Sequence, residues 1–195
     1  MKTFTLGAVK LTGGYLFEKQ ELNRKTTIHA VYDQFEQTGR ISAFDFAYDP
    51  DKEDSVRPHI FWDSDVAKWI EGAANILNKH PSPDLEAKVD AIVDKIRLHQ
   101  WDDGYFNSYF AVCEPDNRFT DRDRHELYCA GHLIEAAINY AEATGKRDFL
   151  QCMEKYVDLI YRVFFVEKSA AFRTPGLQEL EIALIRLYLF TKKEK

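Results

Sequence analysis

A short pattern recurs at three places in the chain: Ile70-Glu71-Gly72-Ala73, Ile134-Glu135-Ala136-Ala137 and Leu180-Glu181-Ile182-Ala183 share an aliphatic-Glu-x-Ala core. Each copy lies in a segment whose apolar residues return every three or four positions, the period of a helix with one buried face. A plainer amphipathic segment separates each copy from the next. A small residue at the same place on each patterned helix lets neighbouring helices approach closely. The alternation therefore predicts stacked helical hairpins, with the patterned helices inside and the plain ones outside.

Six helices are expected. The first covers about 19–38, with Leu22, Ile28, Val31, Tyr32 and Phe35 on one face and Gly39 as a stop. A second begins at Asp63 or Ser64, either of which offers an N-cap, and runs to about Lys79 before Pro81. Ser82-Pro83 opens a third, because proline suits the first helical position. A fourth spans about 123–143 and closes at Thr144-Gly145, a fifth covers about 147–165, and a sixth starts near Leu177 after Pro175-Gly176. No pair of segments alternates as strands do. The expected class is all-α, half of an (α/α)6 toroid, with residues 1–195 forming one incomplete toroid domain. Twelve helices with their loops would need about twice this length.

Composition narrows the partners. A net charge of −6 disfavours nucleic acid and anionic membrane, which attract basic surfaces. Residues 1–7 lack the continuous apolar stretch of a signal peptide, and no window has the roughly 18 apolar residues of a membrane span. Cys113, Cys129 and Cys152 are odd in number and form no C-x-x-C pair, which reads as free thiols in a reducing compartment, the cytoplasm.

Four places carry candidate chemistry. His125-Glu126-Leu127-Tyr128-Cys129 resembles a metalloprotease H-E-x-x-H helix with Cys129 at its fifth position. His125, Cys129 and His132 would share one helix face but span about 10 Å at 1.5 Å per residue, too far for one tetrahedral ion. No metal site is expected. His125 follows a long loop and can hydrogen-bond sugar hydroxyls as donor or acceptor, whereas His132 reads as a packing histidine. Asp63 and Asp65 serve either as first-turn charges or as carboxylates at a pocket mouth beside Trp62 and Trp69. The run from Trp101 to Phe110 combines flat rings with Asp, Asn and Tyr, which suits a carbohydrate or a loop packed onto a core.

Taken in order, these runs resemble glycoside hydrolase family 127: Trp62-Asp63-Ser64-Asp65 through Ala74, Asp103-Gly104-Tyr105 through Tyr109, and His125-Glu126-Leu127-Tyr128 through Ala137. Val9-Lys10-Leu11-Thr12-Gly13-Gly14 and the helix at Glu179-Leu180-Glu181 fit as well. The resemblance implies an (α/α)6 toroid followed by β-sandwich domains. It also implies retaining cleavage of β-L-arabinofuranosides by a zinc-bound cysteine nucleophile, with a glutamate as acid/base. The nucleophile, the zinc ligands and the acid/base lie downstream of the matching region, so no catalytic residue and no zinc are expected in this chain. His125 matches a sugar-contacting histidine of the family, and Asp63, Asp65 and Tyr105 fall in motifs near its pocket. Leu177 stands where the family usually has a second such histidine. The expected reading is a truncated, inactive hydrolase of β-L-arabinofuranosidase type, acting on a small carbohydrate and associating with a second copy or a complementing C-terminal chain. The alternative is a non-catalytic carbohydrate-binding or interaction module.

Overall fold

The computed structural model describes residues 8–193, and all regular elements among them are helical. The helices are α1 (Gly14–Leu22), α2 (Ile28–Gln37), α3 (Trp62–Leu77), α4 (Pro83–His99), α5 (Ser108–Cys113), α6 (Glu126–Thr144), α7 (Asp148–Tyr161) and α8 (Glu179–Thr191). A π turn at Asn23–Thr27 joins α1 to α2, so the expected first helix is present and starts earlier, at Gly14.

The recurring pattern marks the inner layer. α3 packs on α6 and α6 on α8, while α2, α4 and α7 back them from outside. Ile70, Ile134 and Leu180 are buried, and so are the small residues Ala73, Ala137 and Ala183 three positions on. Gly131 shows how tight the α6–α8 crossing is, since a Cβ there would lie 2.7 Å from Glu179 Cγ and 3.0 Å from the Leu180 nitrogen. Arg186 of α8 ties the inner helices together on their polar side. It pairs with Glu135 and donates to Asn139 Oδ1 at 2.7 Å, and Asn139 in turn donates to Glu71 of α3 at 2.8 Å.

Several helix ends follow the local chemistry. Ser82 accepts from the Leu85 N–H at 3.4 Å, with Pro83 at the first helical position. Gly145 closes α6 at φ 77°, a conformation that costs glycine little. The start of α3 differs from expectation: Phe61 is the N-cap residue, and Asp63 and Asp65 fall in the first turn. α6 begins at Glu126, later than the expected 123, because His125 before it is left-handed at φ 61°.

The long loop between α4 and α6 packs into the core, and it contains the short helix α5. Tyr105, Phe106 and Phe110 are buried, with Tyr105 edge-on to both Phe119 and Tyr156. Gly104 is required here: its φ is 95°, and a Cβ would sit 2.5 Å from the Lys155 carbonyl oxygen on α7. The aromatic richness of residues 101–110 is thus spent largely on core packing. Trp69 is also buried, donating from its indole to the Ile28 carbonyl at 2.8 Å.

One flank of α8 is bare. Ile182, Ile185 and Leu189 are each more than half exposed along one side of the helix, and Phe165 stands exposed near the end of α7.

Candidate functional site

His125 lies where the loop from α5 meets α6, at the N-terminal end of the inner layer. Its backbone is left-handed, its side chain makes no capping bond, and its Nδ1 is buried without a partner. A histidine held at positive φ, with a polar atom unused, is the most conspicuous departure from ordinary satisfaction in this region. It borders a cavity of about 230 Å³ lined by Arg122, Asp123, Tyr128, Gly176 and Leu177. The loop carrying Arg122 closes tightly on the loop before α8, for a Cβ on Gly176 would lie 2.6 Å from the Arg122 carbonyl oxygen.

Three rings climb α6 from that point. Tyr128 stands edge-on to His125 at 5.7 Å between centroids and to His132 at 4.5 Å. Lys68 of α3 donates to the Tyr128 hydroxyl at 2.9 Å and to Ser64 Oγ at 3.3 Å. Farther along, Glu179 Oε1 of α8 is 3.2 Å from His132 Nδ1, in an alignment that makes no hydrogen bond, and both ring nitrogens of His132 lack a hydrogen-bond partner. Burial, aided by the Lys68 charge, pushes the His132 pKa down to about 4, so its ring is neutral at pH 7 and the contact is no ion pair. Burial and the neighbouring Glu71 charge raise the Glu179 carboxyl.

Of the four residues expected to bind substrate, the structure brings His125 alone to this cavity. Asp63 is buried, and its carboxylate accepts from both the N–H and the hydroxyl of Ser108, fixing the start of α5; burial lifts its pKa to about 6. Asp65 accepts from Arg40 Nε at 3.1 Å, and that guanidinium lies against the Trp62 ring. Tyr105 is fully buried and donates to Glu126 at 2.5 Å. Glu126, whose other oxygen accepts from the Phe119 N–H at 2.6 Å, was not among the residues expected to bind substrate. Its legible signal was its place in the H-E-x-x-H-like run after His125.

The residues present do not suit zinc. Among the described residues no three His, Cys, Asp or Glu side chains converge on a point. Cys129 is buried with its thiol directed at the Ile60 carbonyl, and burial raises all three thiols above their ordinary value, which opposes a metal-binding thiolate.

The model of the β-L-arabinofuranosidase catalytic domain, GH127, matches residues 8–195. The chain belongs to glycoside hydrolase family 127. A curated relative, the non-reducing end β-L-arabinofuranosidase of Bifidobacterium longum subsp. longum, is 35% identical over 150 residues, covering 73% of this chain and 22% of the relative. The crystal structure of a GH127 β-L-arabinofuranosidase from Geobacillus stearothermophilus T6 superposes with a TM-score of 0.86 at 35% identity, over 95% of this chain and 30% of that one. A second solved GH127 β-arabinofuranosidase gives a TM-score of 0.84 at 30% identity, over 96% of this chain and 31% of that one. This family 127 chain thus spans under a third of the length of the relatives it matches, and its inner and outer helices form half of an (α/α)6 toroid.

Proposed function

We propose that this chain, as a single toroid unit, supplies one wall of a β-L-arabinofuranoside site and is catalytically incomplete alone. The observation that carries the reading is His125: a residue held at positive φ that lines a cavity, in a chain of a family of arabinofuranosidases. An imidazole on a cavity wall can donate to or accept from a sugar hydroxyl. Asp63, Asp65 and Tyr105 then serve the same site from behind, by holding α5, α3 and the loop that delivers His125. Nucleophile, metal and acid/base come from a part of the enzyme outside these residues, and positioning by one wall does not replace that chemistry. The bare α8 flank supports association with that part or with a second copy. Free, buried or half-buried cysteines suit the cytoplasm.

The test is a pair of assays on the purified chain. No hydrolysis of an aryl β-L-arabinofuranoside is expected, with or without zinc, while methyl β-L-arabinofuranoside perturbs NMR signals of the cavity at millimolar concentration and His125→Ala weakens that binding. Robust turnover abolished by His125→Ala would overturn the reading.

A further inference from the structure

The cavity beside His125 is lined by groups of unlike chemistry. The His125 imidazole is one of them. Tyr128 adds a hydroxyl whose lone pair is taken by Lys68, which leaves its O–H proton free to donate. The rim residues Arg122 and Asp123 lie near each other, with Arg122 Nε 3.6 Å from Asp123 Oδ1, and Arg122 also donates to Thr174 at 3.3 Å. Leu177, 42% exposed, is the aliphatic side chain among the described lining residues. Leu177 follows Gly176, whose close approach to the Arg122 backbone fixes where it sits. A ligand in this space would find hydrogen-bonding groups at His125 and Tyr128 and hydrocarbon at Leu177.

We propose that Leu177 is a specificity-determining residue, and that the cavity selects a furanoside whose edge facing Leu177 carries hydrogen or an alkyl group in place of a free hydroxyl. A hydroxyl pressed against leucine loses its water and gains no partner, whereas a C–H or methyl group there gains contact area. Discrimination of about tenfold is the scale such an exchange supports. The proposal rests on the carbohydrate reading given above and adds to it which sugars the site takes.

The experiment is an NMR titration of the chain with methyl β-L-arabinofuranoside and its singly deoxygenated analogues, repeated on Leu177→Gln. Position 177 is partly exposed and precedes α8, so the substitution leaves the core untouched. One deoxy analogue should bind the native chain about tenfold more tightly than the parent sugar, and Leu177→Gln should reverse that order by restoring a hydroxyl partner. If every deoxy analogue binds more weakly than the parent, by the same factor in both proteins, the selectivity proposal falls and the sugar-wall reading stands. If no sugar binds either protein, both fall.

Discussion

Tyr105 donates its phenolic proton to Glu126 across 2.5 Å, in a place where both side chains are almost wholly withdrawn from water. Among the described residues no guanidinium or ammonium touches this carboxylate; its partners are the Tyr105 phenol and the Phe119 N–H, with Arg118 and Arg124 acting through space. Burial outweighs those bonds, and the pKa of Glu126 rises from 4.5 to about 7.

A pH effect on stability follows from that shift. Between about 4.5 and 7 the folded chain holds a proton at Glu126 that the unfolded chain releases. The contribution is fully present below 4.5 and is lost as the pH rises through 7. The change is on the order of 3 kcal/mol. Glu126→Gln keeps an acceptor for Phe119 and carries no charge. Urea unfolding at pH 5 and pH 8 should show a markedly smaller difference for the variant, with the variant the more stable at pH 8. An unchanged difference would show that Glu126 does not titrate in this range.

Asp63 is expected to behave as a structural clamp. Asp63→Ala strands the buried N–H of Ser108 and should cost about 2–4 kcal/mol. Asp63→Asn keeps an acceptor for that N–H and should retain sugar binding. Loss of binding in a fully folded Asp63→Asn chain would give the carboxylate a direct role.

Gly131 sets the distance between two inner helices. Alanine there gains up to about 1 kcal/mol of helix propensity but places a methyl group against Glu179 Cγ and the α8 backbone. Overpacking of a backbone contact typically costs about 1–3 kcal/mol, so Gly131→Ala should lower the melting temperature. A rise would mean that α8 can move away freely.

The bare flank of α8 should drive association. Light scattering is expected to show a concentration-dependent increase in mass, and Ile185→Glu, on an exposed site, should suppress it without loss of helix. A native chain that stays monomeric at high concentration would count against a partner on this face.

The inner helices were legible in the sequence because close helix packing imposes a local signature. Ala73, Ala137 and Ala183 sit where a larger residue would hold neighbours apart, and each follows a buried aliphatic by three positions. Glycine and proline marked ends with equal clarity at Gly145 and Pro83. The candidate site was less legible, since its groups are sorted by contacts far apart in the chain. Asp63 meets Ser108 across 45 positions, and nothing local distinguishes a clamp from a ligand. α5 was missed for the same reason: Asn107 caps it locally, but Asp63 fixes it from another helix. Glu126 was read only as part of an H-E-x-x-H-like run; its internal role was not legible because a first-turn glutamate is ordinarily a solvated charge, and only Tyr105 and Phe119 make it an internal one.

The left-handed turn at His125 means that residue 125 answers two separate demands, one of shape and one of chemistry. Asparagine and glycine accept that backbone at little cost, whereas valine and isoleucine do not. A library built at this position should therefore divide into folded chains that have lost only the imidazole and chains whose loop has lost its course. Asparagine, more than the customary alanine, is the replacement that silences the ring while leaving the path of the polypeptide intact.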